Sequence, residues 1–163
     1  MAVNQRTIPT SALVLGLGGL IPFVCTAIMV WWSWPIEQWL PEAFLNERSA
    51  DQTATLALGA YGAIILSFLG GVRWGNLLFD QASLNSWLPL SLSVLPSLIA
   101  WPALLLAPLP MLGLLAAGFI LQYALDVAGV RRGELPHWFG RLRLILTTGA
   151  VLSLLIGLAG NLA

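Results

Sequence analysis

Polar residues with the chemistry of a buried ion pair interrupt two long apolar runs of the sequence. Arg73 lies in the first run, and Asp126 lies in the second. A guanidinium group inside a membrane is costly unless a carboxylate neutralises it, so the sequence predicts an ion pair between Arg73 and Asp126. The spacing of the neighbouring polar residues places them on the same helical faces. The predicted intramembrane polar cluster comprises Arg73, Asn76, Asp80, Gln122, Tyr123 and Asp126.

Three interpretations of this cluster are open at the level of sequence. The pair could be structural and fix how two helices dock. It could instead belong to a polar pocket that opens at the inner membrane surface and binds an anionic or quinone-like head group. In the third interpretation, Arg73 has no partner and extends its charge towards the membrane surface.

The remaining reactive residue types do not form a catalytic pattern. The single cysteine, Cys25, excludes an intrachain disulfide and a cysteine metal cluster. His137 has no other His, no Cys and no paired carboxylates nearby, and no Ser or Thr stands at helical spacing from a His and a carboxylate. We therefore predict no catalytic residue, no metal and no cofactor, and the pattern favours a protein that is not an enzyme. Nothing indicates a nucleic-acid partner.

The composition predicts the elements that must position the cluster. Of 163 residues, 58% are hydrophobic and only 9% are charged, and the mean hydropathy is +0.87. Soluble domains carry roughly a quarter charged residues, whereas apolar runs of about 20 residues are typical of membrane-spanning helices. The fold class is predicted to be all-α, a polytopic membrane protein in one transmembrane domain.

Five transmembrane helices are predicted, with a short interfacial helix after the first, within residues 35–53. Pro22 should kink the first helix and leave the carbonyl group of Gly18 for a neighbour to satisfy. The predicted helices cover residues 11–32, 54–79, 87–107, 111–129 and 144–162.

Small residues recur every fourth position in the second and fifth predicted helices. Such stripes let neighbouring helices approach closely, so both are predicted to be helix-packing faces. The predicted packing residues are Gly59, Ala63, Ser67, Gly71 and Gly75 in the second helix, and Gly149, Ser153 and Gly157 in the fifth.

The distribution of arginine predicts the orientation. The chain has no Lys and seven Arg residues. Five of the seven lie in predicted loops or near helix ends on the same side of the membrane as the N-terminus. The positive-inside rule therefore predicts that the N-terminus lies on the inner side of the membrane and the C-terminus on the outer side. Four of these arginines are predicted to contact anionic lipid head groups or a partner protein. They are Arg131, Arg132, Arg141 and Arg143.

Three segments of the chain carry a resemblance to a known family. They are FLGGVRWG at residues 68–75, the pair Tyr61 and Gly62, and WFGRLR at residues 138–143. Through these three segments, the chain resembles the transmembrane protein 69 family. This family comprises small multi-pass proteins of bacterial and mitochondrial inner membranes that contain a domain of unknown function. The resemblance implies a fold and a compartment. Together with the orientation above, we therefore expect a bacterial inner-membrane protein with a cytoplasmic N-terminus and a periplasmic C-terminus. The resemblance implies no activity, cofactor or catalytic residue.

Two functions are therefore expected as alternatives. The first is an accessory or assembly subunit that associates with a larger membrane complex through its small-residue stripes. The second is a small carrier or binder of an amphipathic molecule, a lipid or a quinone, at a polar pocket around Arg73 and Asp126.

Overall fold

The computed structural model describes residues 7–32, 49–79 and 87–162, and all regular structure in these ranges is helical. We number the helices in chain order. They are α1 (Thr10–Gly18), α2 (Ile21–Trp31), α3 (Ala50–Leu77), α4 (Trp87–Ala103), α5 (Pro108–Arg131) and α6 (His137–Gly160).

In the described ranges, four segments are long and apolar enough to cross a membrane: α1 and α2 together, α3, α5 and α6. Helix α4 is also apolar but has 17 residues, which reach about 25 Å at the rise of an α-helix. Large apolar side chains such as Ile64, Leu98 and Trp101 remain exposed on the outside of the bundle, as lipid-facing residues do. The prediction of an all-α polytopic membrane protein is confirmed. The predicted interfacial helix lies almost entirely outside the described residues.

Helix α3 is the centre of the bundle and packs against α2, α4, α5 and α6. With α1 and α2 counted as one segment, successive membrane segments run antiparallel. One end of the bundle therefore contains the start of α1, the ends of α3 and α5, and the starts of α4 and α6. We call this the arginine end. The apolar core includes the fully buried side chains of Phe23, Leu58, Leu66, Leu112, Leu115, Phe119 and Leu154.

The predicted kink in the first membrane segment is confirmed. Helix α1 ends at Gly18, and α2 resumes at Ile21 with Pro22 in its first turn. The hydroxyl group of Tyr61 donates a hydrogen bond of 2.9 Å to the carbonyl group of Gly19, one residue beyond the predicted acceptor. A side chain of α3 therefore satisfies backbone that the break exposes.

The small-residue stripe of α3 contacts neighbouring helices near the start of the helix but not near its end. A Cβ atom on Gly59 would lie 2.7 Å from Met111, whereas one on Gly71 or Gly75 would meet nothing within 4 Å among the described residues. Ala63 is buried and Ser67 is half-buried. A strict four-residue spacing rotates about 40° per step around a helix with 3.6 residues per turn, so the ends of the stripe face different directions.

The close contact between α3 and α4 is made by a different glycine. A Cβ atom on Gly70 would lie 2.5 Å from the carbonyl oxygen of Ser93. The two backbones can approach this closely only because position 70 has no side chain.

The stripe of α6 faces two neighbours in turn. A Cβ atom on Gly149 would lie 2.7 Å from the side chain of Leu20, and one on Gly157 would overlap the side chain of Leu58. Ser153 is buried between them. The stripe therefore contacts the α1–α2 break at one end and α3 at the other.

A short, well-defined turn joins α5 to α6. Gly133 has a φ of 77°, and the N–H groups of Gly133 and Glu134 donate to the carbonyl groups of Val130 and Gly129. This is a Schellman arrangement, in which a left-handed glycine ends the helix. Pro136 then precedes α6. Helix α6 therefore begins at His137, rather than at the predicted residue 144.

Candidate functional site

A buried ion pair joins α5 to α6 near the arginine end. The Nε atom of Arg143 donates to Oδ2 of Asp126 at 2.7 Å, and the two side chains are only 5% and 7% exposed. The Nε2 atom of Gln122 donates to the other carboxylate oxygen, Oδ1, at 3.0 Å. Both oxygens of Asp126 therefore have a donor within the bundle.

The predicted intramembrane ion pair is present, but the predicted cation was wrong. Asp126 lies five residues before the end of α5, and Arg143 lies six residues after the start of α6. Because the two helices form an antiparallel hairpin, these positions lie at similar depths of about 7.5 and 9 Å at 1.5 Å per residue. Arg143 is only 4% exposed, so the predicted contact of this residue with lipid head groups or a partner protein was also wrong.

Arg73 is left without a carboxylate partner among the described residues. Its Nε atom is buried and donates a hydrogen bond to none of the described residues. Arg73 and Asp126 nevertheless line the same cleft. Asn76 is exposed on the same helix and lines the cleft as well. Asp80, the other predicted residue of this helix face, lies outside the described residues.

This cleft, which we call the Arg73 cleft, has a volume of about 340 Å³. Its polar groups are Arg73, Asn76, Asp126 and Glu134, and the rest of its wall is apolar. The apolar wall consists of Leu69, Val72, Leu77, Phe79, Leu135 and Phe139. A charged group surrounded by apolar walls at a helix end is suited to an amphipathic ligand.

A second cleft of about 410 Å³ lies on the α4 side of Arg73. It shares Arg73, Asn76 and Glu134 with the first cleft and adds Pro89 and Leu92. Arg73 therefore stands between two recesses, both of which have apolar walls.

A surface ion pair completes the charge pattern of the clefts. The Nη2 atom of Arg132 donates to Oε2 of Glu134 at 3.1 Å, and its Nε atom donates to Oε1. The hydrogen bonds that Arg132 donates to Glu134 raise the pKa of Arg132 above its ordinary value, so this arginine stays charged and paired. Among the described residues of the clefts and the buried pair, there are three guanidinium groups and two carboxylates. Within this set, the positive charge of Arg73 is in excess.

The other predicted residues do not join the site. Tyr123 is half-buried on α5, and Arg131 and Arg141 are exposed. Cys25 and His137 are exposed as well. Within the described part of the chain, no three His, Cys, Asp or Glu side chains come together as metal ligands would.

Thr147 is a polar residue of this region that the sequence analysis missed. It is 6% exposed and lies one helical turn after Arg143 on α6. Its Oγ1 atom and the Nη2 atom of Arg143 have no hydrogen-bond partner in the described structure. The four-residue spacing would have indicated a shared face, had the start of α6 been placed at His137.

Comparison with known proteins gives a family. A family model described as "Protein of unknown function (DUF3429)" matches residues 8–159. Transmembrane protein 69 from Xenopus tropicalis is 38% identical over 151 residues, which cover 90% of this chain and 53% of that protein. Transmembrane protein 69 from Mus musculus is 28% identical over 151 residues, which cover 92% and 56%.

The chain thus spans about half the length of the curated relatives it matches. No solved structure matches it. The chain belongs to the DUF3429 family of unknown function, and the resemblance to the transmembrane protein 69 family is confirmed.

Proposed function

We propose that this integral membrane protein binds an anionic amphipathic molecule in the Arg73 cleft, with a phosphate or carboxylate head group on Arg73. The observation that carries the proposal is the engagement of Asp126 by Arg143, which leaves Arg73 without a carboxylate partner among the described residues. A partly buried cation without a counter-ion is unfavourable in an apolar region, and an anionic ligand removes that cost. Planar guanidinium groups bind phosphate and carboxylate oxygens with two parallel hydrogen bonds.

The cleft walls support an amphipathic ligand rather than a free anion. Val72 and Phe79 line the cleft and are exposed at 44% and 91%. These side chains offer apolar contacts to an acyl chain beside the charged head. Basic pockets of this kind between membrane helices bind lipid head groups.

The test compares two arginines at the same end of the bundle. The chain is purified in mild detergent, and bound phosphatidylglycerol is measured by native mass spectrometry for Arg73→Gln and Arg131→Gln. Both changes remove one charge, but Arg131 is exposed and lines neither cleft. A hydrogen bond to a charged group contributes about 1.5–3 kcal/mol, so Arg73→Gln should weaken binding about tenfold or more.

The control variant Arg131→Gln should retain most of the binding. Equal losses in the two variants would mean that general surface charge, rather than the cleft, attracts the lipid. A variant that fills the cleft, Val72→Trp, should also lose lipid while it keeps Arg73.

We further propose an accessory role in a larger membrane complex as a second candidate. Gly71 and Gly75 support it, because a Cβ atom at either position would meet nothing within 4 Å among the described residues. Small residues on an open helix face let another helix approach closely. Gly71→Leu should then release a stoichiometric partner that co-purifies with the unaltered protein, and the absence of such a partner would remove this candidate.

For location, we propose a bacterial inner membrane with the arginine end in the cytoplasm. The arginines of the α5–α6 turn support this orientation through the positive-inside rule. In a Cys25→Ala background, Arg131→Cys should react with a membrane-impermeant maleimide only after the membrane is opened, whereas Asp51→Cys should react in intact spheroplasts. The opposite pattern would reverse the orientation.

A further inference from the structure

Two cavities lie one behind the other between α3 and α6. The Arg73 cleft is lined by Arg73 on α3 and by Phe139 on α6. A third cavity, of about 180 Å³, is lined by Ile65 on α3 and by Leu146 on α6, and we call it the inner cavity. Leu69 lines both cavities, so they meet at this residue.

The positions of the lining residues along the two helices show that the cavities form one groove. Arg73 and Ile65 lie four and twelve residues before the end of α3, which is about 6 and 18 Å from the arginine end. Phe139 and Ala150 lie two and thirteen residues after the start of α6, which is about 3 and 20 Å from the same end. Because α3 and α6 are antiparallel, these linings cover the same depths. We call the combined space the α3–α6 groove.

The groove begins at the arginine end and ends inside the membrane. Beyond the inner cavity the two helices meet, since a Cβ atom on Gly157 of α6 would overlap the side chain of Leu58 of α3. The aromatic rings of Phe23 and Phe119 line the inner cavity and are buried in the apolar core. The groove therefore has a closed deep end and an apolar floor.

The inner cavity also opens on the flank of the bundle. Leu15 and Phe68 line it and are 76% and 63% exposed, and both lie within membrane-spanning segments. Gly16 leaves space beside them, because a Cβ atom at this position would lie 3.0 Å from the side chain of Leu146. An alkyl chain can therefore enter the groove sideways from the hydrocarbon region.

The lining of the inner cavity suits hydrocarbon. Apart from Arg143 and Thr147, the described residues that line it are apolar. These two residues are only 4% and 6% exposed, so they present almost no polar surface to an occupant. An alkyl chain that moves from the bilayer into the groove leaves surroundings that are equally apolar, so the groove alone gives little affinity. The attraction must come from the other end of the occupant, where Arg73 carries the excess positive charge.

We propose that the α3–α6 groove holds one acyl chain of an anionic lipid whose head group binds Arg73. The chain passes Leu69 and ends in the inner cavity beside Leu146. This inference rests on the proposed function, because Arg73 supplies the attraction. It assigns the inner cavity as the acyl-chain subsite of the Arg73 cleft, and it makes the ligand a lipid with a long chain rather than a small anion.

A photoactivatable lipid locates the chain. The full-length protein in neutral maltoside detergent is mixed with phosphatidylglycerol that carries a diazirine in the middle of one acyl chain. After illumination, mass spectrometry maps the labelled residues, and label is expected on Ile65, Leu69 and Leu146. Diacylglycerol with the same diazirine has no anionic head group for Arg73, so it should label these groove residues about tenfold less.

Two glycines of α1 provide matched variants. Gly16 lines the inner cavity, whereas a Cβ atom on Gly18 would meet nothing within 4 Å among the described residues. Gly16→Leu should fill the cavity and reduce the label on Ile65 about tenfold, which corresponds to about 1.4 kcal/mol. Gly18→Leu should leave that label unchanged.

A second pair of variants fills the cavity from α6, so the test does not depend on one variant that might misfold. Leu146→Trp narrows the inner cavity and should reduce the label on Ile65 and Leu69 about tenfold. The adjacent Ile145 is exposed and is not among the residues that line the cavity. Ile145→Trp should therefore leave the label unchanged.

Several results would overturn the proposal. They are label confined to lipid-facing residues such as Ile64 and Leu98, equal groove labelling by the two lipids, or equal labelling in Gly16→Leu and Gly18→Leu. If phosphatidylglycerol binding depended on Arg73 but no groove residue were labelled, the head-group site would stand and only this inference would fail. Groove labelling that persisted in Arg73→Gln would overturn both proposals.

Discussion

Arg143 and Asp126 form an ion pair across the α5–α6 hairpin, with 2.7 Å between Nε and Oδ2. The pair determines the electrostatic character of the whole arginine end. Because Asp126 is engaged within the hairpin, the neighbouring Arg73 has no carboxylate partner in the described structure. The two residues of the pair line different cavities: Asp126 lines the Arg73 cleft, and Arg143 lines a smaller cavity of about 180 Å³.

Arg73→Met should raise the melting temperature of lipid-free protein in neutral detergent. The change removes a partly buried charge that has no ion-pair partner among the described residues, and it keeps the apolar part of the side chain. A stabilisation of about 1 kcal/mol corresponds to a shift of roughly 2–4 °C for a chain of this size. Circular dichroism melting measures the shift.

The same variant should lose its response to anionic lipid. A ligand that binds only the folded state raises the melting temperature, so phosphatidylglycerol should stabilise the unaltered protein and leave Arg73→Met unchanged. A lower melting temperature of Arg73→Met without lipid would show that Arg73 has a stabilising partner.

Tyr61→Phe should destabilise the bundle by about 1 kcal/mol, the usual net contribution of one hydrogen bond. The change removes the 2.9 Å bond to the carbonyl group of Gly19 at the α1–α2 break. It keeps the ring that packs edge-on against Phe23, with 5.0 Å between ring centroids. Thermal unfolding in detergent measures the effect.

The second tyrosine of the chain is the matched control. Tyr123 is half-buried, and its hydroxyl group forms no hydrogen bond with the described residues. Tyr123→Phe should therefore have little effect. If both variants melted at the temperature of the unaltered protein, the Tyr61 bond would contribute nothing to the break.

Gly70→Ala should destabilise the protein, whereas the adjacent Gly71→Ala should be neutral or slightly stabilising. A Cβ atom at position 70 would lie 2.5 Å from a backbone oxygen of α4, and one at position 71 meets nothing within 4 Å in the described structure. Alanine is favoured over glycine in a helix by about 0.5–1 kcal/mol, so only the clash separates the two variants. Thermal unfolding compares them directly, and equal melting temperatures would contradict the close approach of α3 and α4.

Sequence patterns predicted the helices and the kink well. Apolar runs locate the membrane segments because the hydrocarbon core requires about 20 consecutive apolar residues. Pro22 indicated the break because proline removes a backbone donor. The α5–α6 turn also carried usable signals, namely Gly133 as a left-handed cap and Pro136 before the first turn of α6.

The sequence analysis missed Arg143 as the partner of Asp126 because Gly133 and Pro136 did not enter the prediction of where α6 begins. The predicted fifth helix began at residue 144, which put Arg143 at its boundary, so Arg73 was the only cation within a predicted helix interior. Placing the start at His137 moves Arg143 nearly two turns into the helix, at the depth of Asp126. The orientation of each helix about its axis is decided by packing. Four-residue spacing alone therefore did not show that Gly70, rather than Gly71, contacts α4.

The central claim, that Asp126 belongs to Arg143 rather than to Arg73, is tested most directly by two double-mutant cycles that share one variant. Asp126→Leu is combined with Arg143→Met in one cycle and with Arg73→Met in the other. The free energy of unfolding is measured by reversible SDS unfolding in mixed micelles. The account predicts a coupling energy of about 1–3 kcal/mol for the Arg143 cycle and a clearly smaller value for the Arg73 cycle. An equal or larger coupling between Arg73 and Asp126 would contradict it.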